Sequence, residues 1–187
     1  MGAPDRMDER LRTLSLVEAQ RRAEALFAQA DEENPADRII GDDDIAFAGF
    51  GPVFDAYEVD FSRTFVLGDD PAKRRLRGDL AAVFAAGRHA FRADPDITGR
   101  QLYAEVERRA SDAGWALGGR HAGHLVGVDP HETCDGAVAE SYITPDNERP
   151  LRRVDRAGWR CRWILEIRLT DEKRGFGGLY EQLIDLT

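Results

Sequence analysis

Trp159-Arg-Cys-Arg-Trp-Ile-Leu-Glu-Ile-Arg-Leu-Thr170 alternates along its whole length. Trp159, Cys161, Trp163, Leu165, Ile167 and Leu169 fall on one parity. Arg160, Arg162, Ile164, Glu166, Arg168 and Thr170 fall on the other. Successive strand side chains point to opposite faces, so the pattern predicts a β-strand with one buried face and one polar face. If helices cover the apolar face, Glu166 lies on a face that lines a cleft or meets solvent.

Downstream, Gly175, Gly177 and Gly178 predict a turn, followed by a last strand from Leu179 to Leu186. Upstream, residues 133–158 read as irregular, and the glycine- and histidine-rich stretch 119–128 reads as a loop leading into a strand. Thr98-x-x-Gln101 is a capping box that opens a helix through Tyr103, Val106 and Ala110 to Gly114. Asp69-Asp70-Pro71 opens a longer helix to about Ala93, with acids and proline where a helix N-terminus favours them. Leu76, Leu80, Val83, Phe84, Gly87 and Phe91 lie on one side of it.

Earlier still, Val53 to Leu67 reads as one bent strand and Ile45 to Phe50 as another, ended by Gly51-Pro52. A first helix starts at the Ser15-x-x-Glu18 capping box, runs to about Asp31 and is stopped by Asn34-Pro35. Helices and mostly antiparallel strands mix without strict βα alternation, which defines an α+β fold. The expected organisation is a flexible N-terminus over residues 1–14 and a single domain over 15–187.

Acids outnumber bases by 35 to 26 in the 187 residues, for a net charge of −9. That argues against a general nucleic-acid binder, which needs a basic face. Arginine does cluster at Arg149, Arg152, Arg153, Arg156, Arg160 and Arg162, either as a solvated rim or as an anion-binding one. Cys134 and Cys161 have no metal-type spacing and fit a reducing cytoplasm. No apolar stretch reaches membrane-spanning length.

Taken alone, the polar residues are ordinary. Glu166 is an outward strand carboxylate, and Asp60 shares its parity with Glu58 and Ser62 against Tyr57, Val59 and Phe61. Three of the four histidines, His121, His124 and His131, fall in one short segment, and glycine beside His124 lets backbone approach a ligand closely. Glu181 follows the glycine turn without a mark of its own.

Three segments together, Gly51-Pro-Val-Phe-Asp-Ala-Tyr-Glu-Val-Asp-Phe-Ser-Arg-Thr-Phe-Val-Leu-Gly68, His121-Ala-Gly-His-Leu-Val-Gly-Val-Asp-Pro-His-Glu132 and Gly177-Gly-Leu-Tyr-Glu-Gln-Leu183, resemble the M24 metallopeptidases. That family includes creatinase, Xaa-Pro dipeptidase, aminopeptidase P and methionine aminopeptidase. The resemblance covers about residues 33–187 and implies the pita-bread fold, a curved antiparallel sheet covered by helices on its outer face. It implies hydrolysis of a peptide bond by metal-activated water, with a small peptide or dipeptide as substrate. It also implies a metal shell of two aspartates, one histidine and two glutamates. On this chain the shell falls on Asp60, His124, Glu166 and Glu181. His131 falls where the family stabilises the substrate carbonyl, and His121 where it places a histidine near the substrate. Glu166 would also act in proton transfer.

The family's first aspartate lies eleven residues before the second, and that position is Gly49 here. Glycine coordinates nothing, so a single ion is expected rather than two. Mn²⁺ comes first, with Co²⁺, Fe²⁺ or Zn²⁺ as alternatives for an oxygen-rich shell with one nitrogen. The chain also looks shortened in its first half, which exposes a sheet edge that a homodimer would cover. Three functions remain open: a hydrolase of the Xaa-Pro dipeptidase kind with impaired activity, a non-catalytic binding or regulatory relative, and C–N or C–O cleavage of a small metabolite on the same scaffold.

Overall fold

The computed structural model describes residues 16–18, 20–22, 25, 40–54, 57–126, 136–155 and 158–185. His131, Cys134, Asp55, residues 1–14 and the Asn34-Pro35 helix stop lie outside the described residues.

Trp163 to Thr170 of the stretch quoted first lie in β7 (Trp163–Asp171), the hub of an antiparallel sheet, whereas residues 159–162 precede the strand, with Arg160 in an isolated bridge to Val154. The neighbours of β7 are β8 (Phe176–Leu183) on one side and both β5 (Ala116–Leu117) and β6 (Gly123–Leu125) on the other. Beyond β8 come β4 (Phe61–Val66) and then β1 (Ile45–Phe50), so the sheet runs β1-β4-β8-β7-β5. Two short strands, β2 (Val53–Phe54) and β3 (Tyr57–Glu58), pair separately.

Two helices cover one face. α1 (Pro71–Ala93) is capped by Asp70, whose side chain accepts from the Ala72 and Lys73 amides. α2 (Gly99–Asp112) starts with the reciprocal Thr98–Gln101 capping box. Their apolar sides, Leu76, Leu80, Val83 and Phe84 with Leu102 and Val106, meet the odd residues of β7 in one buried cluster. Gly87 lets α1 approach closely: a Cβ there would stand 3.0 Å from Leu165 and 3.1 Å from Val106. Each fully buried Leu, Ile or Phe in such a cluster contributes roughly 1.5–3 kcal/mol of transfer free energy.

Three expectations need correction. Val53 to Leu67 is not one bent strand. Val59 folds back to donate its amide to Pro52 O, closing the β2–β3 hairpin, and β4 begins only at Phe61. The final turn covers Glu172–Gly175, and Gly177 and Gly178 belong to β8. Gly178 lies in the strand because a Cβ there would press on Thr64, Leu76 and Leu80. Finally, the even face of β7 is not simply polar. Ile164 and Glu166 are buried along with the odd residues. Ile164 joins Val59, Val126, Leu183 and the helical Leu16 in a second cluster, separate from the one that α1 and α2 cover.

Four of the clustered arginines are tied into the structure, and Arg156 lies outside the described residues. Arg149 pairs with Glu140, Arg153 lies over the Trp163 ring, Arg152 over Phe91, and Arg162 pairs with Asp185.

Candidate metal centre

His124 sits mid-strand in β6, opposite Ile164 of β7 and bridged on its other side to Tyr142. Gly123, just before it, has φ 134° and lies almost against the Ile164 carbonyl. The buried imidazole sets its own orientation: Nδ1 donates to Leu125 O at 3.3 Å, which directs Nε2 at two carboxylates. Asp60 Oδ2 is 3.1 Å away and Glu181 Oε1 3.8 Å.

Asp60 arrives from the exit of the β2–β3 hairpin, immediately before β4. Glu181 arrives from β8, in register with Ser62 of β4 and Glu166 of β7. The Ser62 hydroxyl donates to Glu181 Oε2 at 2.8 Å and fixes that carboxylate's rotamer. One ligand atom from each of Asp60, His124 and Glu181 lies within 4.8 Å of the others. One nitrogen and two carboxylates, held through Nδ1–H and Ser62 Oγ, fit a divalent ion of the Mn²⁺-to-Zn²⁺ series.

Glu166 lies alongside without joining the group. Its Oε1 accepts from Arg168 Nη2 at 2.6 Å, and its Oε2 stands 3.5 Å from His121 Nδ1, with no hydrogen bond between them. Burial raises the Glu166 pKa, and the Glu181 charge adds to it. Burial lowers that of His121, helped by the His124 charge, and its ring rests against Tyr142 with centroids 5.0 Å apart.

Gly49 is opposite Ser62 in the β1–β4 register. A Cβ on Gly49 would stand 2.8 Å from Ser62 Oγ, so the serine hydroxyl crowds the space that a longer residue would enter. Strand alternation puts Ser62 and Arg168 on this face. The partner of Ser62 depends on which strands are neighbours, whereas Arg168 reaches Glu166 along its own strand.

Burial alone would lower the His124 pKa. Hydrogen bonds and charge from Asp60 and Glu181 outweigh it and push it up to about 10. The metal-free imidazole is therefore cationic at pH 7, whereas a ligating histidine is neutral. Metal binding is expected to release a proton. Apparent affinity should rise about tenfold per pH unit through neutrality. Calorimetry in buffers of different ionisation enthalpy checks this, and a heat independent of the buffer would contradict it. For the metal-free fold, the raised pKa contributes stability in full below about pH 6.5 and loses it as pH rises through about 10.

Residues 15–154 match the model of metallopeptidase family M24, and the chain belongs to that family. Solved structures share the fold. A prolidase from Thermococcus sibiricus superposes with a TM-score of 0.62 at 20% identity, covering 84% of this chain and 40% of that one. A dipeptidase from Pyrococcus horikoshii gives 0.63 at 22%, covering 82% and 40%. A methionine aminopeptidase from Rickettsia prowazekii gives 0.54 at 15%, covering 80% and 61%. This chain thus spans about 40% of the length of the first two. No curated protein matches it. The architecture is the family's pita-bread fold. No helix among the described residues is long and apolar enough to cross a membrane.

Proposed function

We propose that this protein is a metal-dependent hydrolase of the Xaa-Pro dipeptidase kind that works with a single divalent ion, Mn²⁺ first among the candidates. The observation that carries this is the convergence of Asp60, His124 and Glu181, with ligand atoms within 4.8 Å of one another. An ion there would polarise a peptide carbonyl and activate water.

The chain's own residues supply the rest. His124 offers Nε2 because Nδ1 is committed to Leu125 O. Ser62 keeps Glu181 in place. Glu166, next to Glu181 in the ladder, would take a proton from water and pass it to the leaving amine as the C–N bond breaks. By resemblance to the family, His121, 3.5 Å from Glu166, is assigned a place near the substrate and His131 to hold its carbonyl.

The second reading, a non-catalytic binding or regulatory relative, is favoured by Gly49. The two are separated by titrating metal-free protein with Mn²⁺ and by the substitution Gly49→Asp. A Cβ at Gly49 meets no backbone atom within 4 Å but stands 2.8 Å from Ser62 Oγ, so the new side chain displaces the hydroxyl that donates to Glu181. The hydrolase reading expects a single ion in the native chain. In Gly49→Asp it expects a second equivalent, together with faster Mn²⁺-dependent cleavage of X-Pro dipeptides. No ion in either protein would leave only the non-catalytic reading.

A further inference from the structure

Glu166 and Glu181 are direct partners across the β7–β8 ladder. Directly opposed residues share a face, with Cβ atoms about 5 Å apart. Two buried carboxylates this close repel each other unless a cation lies between or beside them. Glu181 is satisfied by His124 and Ser62. Glu166 is satisfied differently, by the Arg168 guanidinium two residues along the same strand and therefore on the same face.

The placement of Arg168 depends on the loop beside it. Gly118 donates its amide to Arg168 O at 2.7 Å. A Cβ at Gly118 would stand 3.0 Å from Arg168 Cγ and 3.1 Å from Cδ. The lack of a side chain there gives the arginine stem its path back toward Glu166. The Arg168 side chain remains 48% exposed, while Glu166 is 9% exposed. A solvent-facing cation thus reaches inward to neutralise a buried acid at the edge of the metal group.

We infer that Arg168 is a positioning residue that stands in for a cation at Glu166, keeps this carboxylate out of the ligand group and thereby lowers the site's affinity for metal. The inference rests on the single-ion reading above. Because the guanidinium is half exposed, its withdrawal costs little desolvation, so Glu166 becomes a fourth ligand whenever Arg168 is drawn away. The affinity of the site is then set by competition between Arg168 and the ion for one carboxylate.

The test is Mn²⁺ titration calorimetry on the native chain, Arg168→Ala, Glu166→Gln and the double variant. Arg168→Ala is expected to bind Mn²⁺ about tenfold more tightly, the scale of one ligand gained. In the Glu166→Gln background the same substitution should change nothing, because the arginine then has no carboxylate to withhold. Unchanged or weaker binding by Arg168→Ala overturns the inference and leaves the single-ion reading standing. A gain that persists with Glu166→Gln also overturns it, since Arg168 would then act on the ion through space. No Mn²⁺ binding by any of the four proteins overturns both.

Discussion

His124→Ala is expected to abolish measurable Mn²⁺ binding and, with it, any dipeptide cleavage. The imidazole is the only nitrogen donor of the three grouped side chains, and both carboxylates point at its Nε2. Its loss leaves two acids that repel each other, with Glu181 alone of the two held by a hydrogen bond from Ser62. Outer-shell changes alone cost 10–100-fold in affinity, so loss of a ligand should exceed about a hundredfold. The substitution also removes the cation beside Asp60 and Glu181, which costs roughly 3 kcal/mol when a buried partner is left behind. His124→Gln preserves most of the volume and separates this from simple unfolding. A folded variant that still bound Mn²⁺ as the native chain does would refute the assignment of the site.

Gly123→Ala should be the most damaging single-methyl change in the described sheet. A Cβ there would fall 2.1 Å from Ile164 O and 3.0 Å from both Ile164 C and Leu165 Cα. Those are backbone atoms of the hub strand, held by ladders to β5, β6 and β8, so they cannot yield as a side-chain tip would. The residue also has φ 134°, where an L side chain is strained. The only relief is to part β6 from β7, which carries His124 out of the site. A loss of at least about 4 kcal/mol follows, seen as a fall of about 10 °C in the melting temperature. Gly78→Ala is the control. It lies within α1 with nothing within 4 Å of a built Cβ, and alanine suits a helix better by roughly 0.5–1 kcal/mol. A Gly123→Ala protein melting within about 2 °C of the native one would show that β6 is not held as described.

These two glycines illustrate why some of the molecule was legible and some was not. The helices were: Asp70 and Thr98 cap where a local signature places them, and the apolar positions of α1 and α2 are those that reach the core. So was the odd face of β7. The even face misled because alternation records polarity, whereas burial depends on what stands opposite. Ile164 is covered by Leu16, Val59, Val126 and Leu183, drawn from four other places in the chain. Within the candidate site, Asp60, His124 and Glu181 were found by resemblance to the M24 family. Composition and spacing alone left each of them an ordinary residue.

The local signals in the chain determined the α+β class, the helix starts, the existence of β1, β7 and β8, and the acids and histidines available for chemistry. All of these depend on residues a few positions apart, whose spacing matches the helical or strand period. Tertiary structure alone decided which of those groups meet. Ser62 touches Glu181 across 119 positions of sequence, and Gly49 faces Ser62 only through the β1–β4 register. Glu166 is beside Glu181 yet bound to Arg168, because side chains choose partners by distance and charge once the ladders are set.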